Sequence, residues 1–183
     1  MELFAQKGFR GTTTRDLAAQ AGVNEAIIFR HFNTKTELYR AILEEKVHQG
    51  RDQRYKEVES FAASADVRTF LEFLGMLFLE RHRQDSTFMR LLLFSALEGH
   101  ELADMFLASM AIRDPMVAYL ERQMDAGTFR RMDPYLAARA FFGMFVSHVQ
   151  IQELFKQKKS RDFEASDVVK TFVSIFLDGM KPL

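Results

Sequence analysis

A chain of 183 residues, 48% of them hydrophobic, has enough mass to bury a substantial core. With no cysteine it offers neither a disulfide framework nor a thiolate for nucleophilic or metal chemistry. Its 25 basic side chains are balanced by 25 acidic ones, so composition lacks the basic excess that marks a nucleic-acid binder.

Nineteen phenylalanines and ten methionines against three prolines favour a helical, aromatic-rich interior. No apolar run approaches the ~18 residues of a membrane span, and no charged-then-apolar leader opens the chain. A cytoplasmic protein is the resulting expectation. The first residues, Met1-Glu2-Leu3-Phe4, already follow a helical pattern with no cap before them. This predicts that part of the first helix, and a native N-terminus, precede Met1.

Thr13 lies before an apolar-periodic run with Asp16 three residues on, the spacing of a capping box. Leu17, Ala18 and Ala21 share one face. Gly22 tolerates the positive φ that ends a helix. After the apolar plug Val23, Asn24 is a good N-cap for a helix from Glu25 to Phe32, with Ile28 and Phe32 facing inward. Ala26, Ile27, Phe29, Arg30 and His31 are left on its outer and flanking surfaces. Two short helices about a glycine turn form a helix-turn-helix, whose second helix can enter a DNA major groove.

Thr34 is the next N-cap, with Glu37 three residues later. The helix it opens carries Leu38, Tyr39, Ile42, Leu43 and Val47, and is expected to run towards Val58. A short linker over 60–66 follows, with Ser64 or Asp66 capping a helix from Val67 to about Arg83. Ser86 caps another from Thr87 to Glu98, stopped by Gly99. A further helix begins near Glu101, and Pro115 should kink or break it by removing a donor and crowding the preceding turn. Helix resumes through Met116, Tyr119, Leu120 and Met124 as far as Gly127. Asp133-Pro134 is a strong start signal, a cap followed by proline at the first helical position. The helix from there is expected to reach about Lys158, and the last one spans Ser166 to about Met180. No repeat, low-complexity segment or strand-like alternation interrupts this all-α pattern. The last two helices are apolar over more than one packing stripe, which suggests pairing with a second copy in a four-helix interface through Phe141, Phe145, Phe172 and Phe176.

The ordered string TTTRDLAAQAGVNEAIIFRHFNTKTEL resembles the DNA-binding domain of the TetR-type regulators. Their pattern is matched by Thr12, Thr13, Leu17, Ala18, Ala21, Gly22, Val23, Asn24, Phe29, Phe32, Lys35 and Leu38, over about the first quarter of the chain. The resemblance implies an N-terminal three-helix helix-turn-helix head, residues 1–46, followed by a larger helical bundle for ligand sensing and dimerisation, residues 47–183. It further implies a ligand-responsive regulator, a repressor by family habit, that binds double-stranded DNA at a palindromic operator as a homodimer. Thr13 and Lys35 would bind phosphates, and His31 could donate to one. Asn24, Glu25, Ala26, Ile27 and Phe29 would face the groove, with Arg30 at its margin. Glu25 could accept from a cytosine amine, and Ala26 or Ile27 could meet a thymine methyl. The family often has lysine at the position of Glu25 and tyrosine at that of Phe29. Glu25 would repel a nearby phosphate, and Phe29 lacks a hydroxyl to donate. In the bundle, the Phe- and Met-rich faces around Phe73, Leu77, Phe94, Phe106, Met110, Tyr119, Met144 and His148 could line a pocket for a small hydrophobic or aromatic effector. The plainer reading makes these residues core.

Two other classes compete. An enzyme finds little support: no His-Glu-x-x-His zinc signature occurs, no glycine-rich phosphate cradle is present, and no cofactor is implied. Glu45-Lys46-Val47-His48 matches half of a di-iron site without a second copy, so a solvated helix surface is expected and no metal. A helical adaptor whose helix-turn-helix contacts protein would accommodate Glu25, Phe29 and the neutral charge.

Overall fold

In a computed structural model, residues 1–48, 51–99, 113–155 and 162–182 are described, and every regular element among them is helical. The helices are α1 (Glu2–Lys7), α2 (Thr14–Ala21), α3 (Glu25–His31), α4 (Lys35–His48) and α5 (Arg51–Ser64), followed by α6 (Val67–Gln84) and α7 (Thr87–Leu97). Three more complete the set: α8 (Arg113–Asp125), α9 (Pro134–Val149), which continues as a π-helical turn over Gln150–Leu154, and α10 (Ala165–Met180). Two compact units result, one of Met1–Arg51 with Ser86–Met110 and one of Asp52–Asp85 with Ala111–Leu183.

In the first unit, Phe4, Ala5, Leu17, Tyr39 and Leu43 make a core that α7 joins through Leu91. Tyr39 is the hub, its ring 4.6 Å from Phe4 and 5.3 Å from Phe9. Each fully buried aromatic side chain contributes about 1.5–3 kcal/mol, so this small unit depends on a few rings and on the helix that returns to it.

In the second unit, α6 supplies Phe70, Leu71 and Leu74, α8 supplies Met116, Tyr119 and Leu120, and α9 and α10 supply Phe141, Phe145, Val169 and Val173. Gly75 lets α9 come close: a Cβ there would stand 2.7 Å from Phe145 Cζ. Phe141 lies 5.1 Å from Phe145 and 5.2 Å edge-on from Phe176. This corrects the expected dimer face. Phe141, Phe145 and Phe176 are buried in their own unit's core, because they occupy the stripes of α9 and α10 that turn towards α6. Phe172 is half-buried against Phe145. The outward positions of these helices are instead Leu136, Ala140, Gly143 and Ser147 on α9, and Ile175 and Gly179 on α10.

Several boundaries differ from expectation for local reasons. Residues 60–64 are helical, since Phe61 and Ala62 pack on the core. Ser64 turns its hydroxyl back to the Ser60 carbonyl, and Asp66 is the cap, accepting from Thr69 N at 3.1 Å. Ser86 precedes α7 without a side-chain capping bond. Pro115 lies within α8, and the segment before Arg113, where the expected kink or break would fall, lies outside the described residues. The helix expected from Glu101 lies outside the described residues. Asp133 caps α9 as expected, accepting from Tyr135 N and Leu136 N at 2.8 and 3.0 Å.

Candidate nucleic-acid interface

The α2–turn–α3 unit is held by bonds that its residue types dictate. Thr13 Oγ accepts from Asp16 N, and Asp16 accepts from Thr13 N, both at 3.1 Å. That reciprocal box satisfies two amides at the start of α2. The Thr13 amide and hydroxyl, aided by Lys7 and Arg15 nearby, hold the Asp16 carboxyl below its ordinary pKa. At the other end Gly22 takes φ +68° and ψ 26°. Val23 N then donates to Ala18 O at 3.0 Å and Gly22 N to Ala19 O at 3.3 Å, the paired bonds that close a helix through a left-handed residue. Asn24 Oδ1 accepts from Ile27 N at 3.0 Å and starts α3.

Beneath the turn lies a set of tethers that sequence reasoning only partly foresees. The buried Thr12 hydroxyl donates to Gly8 O at 2.7 Å. Lys35, expected at a phosphate, instead reaches back from α4: its Nζ donates to Phe9 O at 2.8 Å and Thr12 O at 2.9 Å, and stands 4.2 Å over the Phe9 ring. Two of its three ammonium donors are therefore committed within the head. The Glu98 carboxylate, one residue past α7, accepts from Phe9 N at 3.0 Å and Arg10 N at 3.1 Å, while Arg10 Nη2 donates to Glu98 O at 3.3 Å. No local pattern announces a pairing across 88 residues. Gly8, at φ +73°, is the available clue to an unusual turn there.

Thr14, also missed by sequence reasoning, donates from its hydroxyl to Glu25 Oε2 at 2.8 Å. The bond joins the first residue of α2 to the first residue of α3. Its signal is present as two polar side chains at successive helix starts, but spacing alone does not reveal which way they turn.

The remaining expected DNA-contacting residues lie at the start of α2 and along α3. Thr13, Asn24, Ala26, Arg30 and His31 are exposed, Ile27 and Phe29 retain 43% and 45% of their accessible area, and Glu25 is half-buried. Large apolar side chains left this open on a short helix suit contact with base edges and thymine methyl groups. Arg30 and His31, in the last turn of α3, add donors suited to phosphate oxygen.

The described residues among those expected around an effector are divided between the two units. Phe73, Leu77, Tyr119, Met144 and His148 belong to the second unit. Tyr119 is buried core, its ring 4.2 Å from Phe70, and Phe73 packs on Phe61 at 4.4 Å. His148 meets Phe172 edge-on at 6.0 Å and Phe163 at 6.2 Å, just before the π-helical turn. Phe94 belongs to the first unit, against Gly8, because α7 returns to the head. Phe106 and Met110 lie outside the described residues, as does the side chain of His48. Among the described residues no group of three His, Asp or Glu side chains could hold a metal ion. No described helix is long and apolar enough to cross a membrane.

Residues 1–42 match the bacterial regulatory proteins of the tetR family, and residues 69–179 match the C-terminal domain of AefR-like transcriptional repressors. Over 43 residues the chain is 46% identical to an HTH-type transcriptional repressor of Mycobacterium tuberculosis, covering 24% of this chain and 23% of that protein. The matched stretch thus spans about a quarter of the curated relatives' length. Two solved structures share the fold over nearly the whole chain. FadR from Bacillus subtilis, in complex with stearoyl-CoA, has a TM-score of 0.73 at 17% identity, covering 98% of this chain and 94% of that one. AibR, in complex with isovaleryl coenzyme A and operator DNA, has a TM-score of 0.66 at 18% identity, covering 95% and 91%. The head's helix-turn-helix and a C-terminal match over more than half of the sequence lead to one assignment: this chain belongs to the TetR family of bacterial transcriptional regulators.

Proposed function

We propose that the protein is a homodimeric repressor that binds a palindromic operator and is released by a small hydrophobic effector held in residues 47–183. The observation that carries the DNA-binding part is the α3 surface, where Ile27, Phe29 and Arg30 stand open on a helix fixed at both ends by its own caps. A two-fold dimer presents two such helices about 34–36 Å apart, one turn of the duplex.

Support for the dimer comes from the outward faces of α9 and α10. Leu136 and Ile175 keep 62% and 58% of their area, and Cβ positions at Gly143 and Gly179 face open space. Small residues beside exposed aliphatic ones let helices of a second copy approach closely. Effector release needs only a ligand that favours a head spacing incompatible with the operator. The half-buried Phe73, Leu77, Phe142, Met144 and Phe172 of the second unit suit an apolar group, methionine adapting to irregular shapes. The acyl-coenzyme A complexes of FadR and AibR favour an acyl chain as that group, consistent with the expected hydrophobic effector.

Affinity selection from a random double-stranded DNA pool tests the reading. An enriched inverted repeat that acyl-coenzyme A thioesters of graded length release from the protein supports it. Absence of enrichment at low salt by a folded dimer would favour a protein-binding adaptor.

A further inference from the structure

The Thr14–Glu25 bond bears on how this head tells one base from another, a question that rests on the DNA-binding function proposed for it. Glu25 is the first residue of α3, and residues at the N-terminal end of a recognition helix are the ones that reach base edges. A carboxylate at this point is costly near phosphate, yet here it is half-buried and oriented by the Thr14 hydroxyl at 2.8 Å. Without that bond a glutamate has several rotatable bonds to order on binding, each at an entropic cost.

The chemistry of the group then limits what it can meet. An ionised carboxylate only accepts hydrogen bonds. Guanine offers N7 and O6 to the major groove and thymine offers O4, all acceptors that repel it; cytosine offers its N4 amine, and adenine its N6 amine. Adenine places the N7 acceptor beside that amine, against the carboxylate's second oxygen, whereas cytosine does not. The neighbouring face has few competing acceptors: Asn24 Oδ1 is engaged by Ile27 N, and Ala26, Ile27 and Phe29 are apolar and exposed.

We propose that Glu25, positioned by Thr14, reads a cytosine in each operator half-site through its N4 amine. Ala26 and Ile27 take adjacent thymine methyl groups. Thr14 acts through Glu25 as a positioning residue.

The test is selection from a random DNA pool by wild type, Glu25→Gln, Thr14→Val and Thr14→Ser, each checked for folding by circular dichroism. The wild type should enrich an inverted repeat with cytosine at one fixed half-site position. Glu25→Gln should lose that cytosine or exchange it for adenine, which glutamine recognises bidentately, while the rest of the repeat stays. Replacing the C·G pair by T·A should weaken wild-type binding about 10-fold, the range of one specific base contact, and Glu25→Gln by less than about 2-fold. Thr14→Val should blur this one position, and Thr14→Ser, which keeps the hydroxyl, should restore it. An inverted repeat identical in wild type and Glu25→Gln would overturn the proposal and leave the DNA-binding function standing. No enrichment by a folded wild type would remove both.

Discussion

Gly8→Ala is the most informative single change in the head. Gly8 has φ +73° and ψ 178°, a region open essentially to glycine alone, and forcing an L-residue into it costs about 1–3 kcal/mol. The added Cβ would also stand 2.5 Å from Glu98 Oε1 and 2.9 Å from Phe94 Cδ1. The end of a glutamate ordinarily moves aside cheaply, but this one is held by Phe9 N and Arg10 N. Moving it gives up hydrogen bonds to a charged group, worth about 1.5–3 kcal/mol each when well made. Taking about 2 kcal/mol for the pair, since one bond is exposed, Gly8→Ala should cost about 3–5 kcal/mol and Glu98→Ala about 2. The double variant should cost no more than Gly8→Ala alone, because the tether can be lost only once. Urea unfolding by circular dichroism would then give a coupling near about 2 kcal/mol, and amide exchange at Phe9 and Arg10 should accelerate in all three variants. Costs that add to within about 0.5 kcal/mol, the behaviour of independent sites, would refute this coupling between Gly8 and the Glu98 tether.

Lys35→Met should lower head stability by about 1–3 kcal/mol as well as operator affinity, because its ammonium bonds two carbonyls of the head; an unchanged melt with weaker DNA binding would return Lys35 to a pure phosphate role. Arg30→Ala should leave stability alone and reduce the slope of log affinity against log salt by about 0.9 per protomer, measured by anisotropy titrations. Gly75→Ala should cost about 1–3 kcal/mol through overpacking against Phe145 and Val169, and a thermal melt within error of wild type would contradict that packing. His82 is held below its ordinary pKa by burial, against the Phe78 carbonyl at 2.8 Å. Its contribution is therefore present above the unfolded value of about 6.5 and is lost as pH falls through the lower folded value; the acid-side fall in stability should shrink in His82→Phe.

The caps, the turn and the outer surface of α3 are legible from residue type because each depends on neighbours within a few positions. Thr13 with Asp16, Gly22, Asn24 and Asp133 all act locally, and each occurs where expected. What stays hidden depends on which parts of the chain meet. An aromatic stripe on α9 shows that one face is apolar, but not whether α6 of the same chain or a second copy covers it, so sequence alone gives Phe141 and Phe145 the wrong neighbour. Phe94 groups with the bundle on sequence because nothing in its surroundings reveals that α7 packs beside α1. Lys35 occupies a family slot, yet its length lets it reach either outward to a phosphate or inward to the Phe9 carbonyl, and only the fold decides.

The neutral composition that gives no hint of DNA binding has a structural explanation. A charge count treats every carboxylate as available to repel phosphate, but several in the head are engaged at short range. Asp16 accepts from the Thr13 amide, Glu25 from Thr14, Glu37 from the Asn33 amide at 2.8 Å, and Glu98 from the amides of Phe9 and Arg10. Each carboxylate so held faces a fixed donor, and for Asp16, Glu25 and Glu37, in the first turns of their helices, the N-terminal dipole offsets part of the charge. Arg15 and Arg30 are exposed on the same unit. A phosphate approaching α3 meets the exposed Arg30 on that helix, while Glu25 there is half-buried and hydrogen-bonded to Thr14. The spatial distribution of charge, not its sum, governs such an encounter. Replacing the engaged carboxylates by their amides should accordingly change the fold's stability more than the salt dependence of DNA binding, with Glu25, which borders the recognition surface, as the exception.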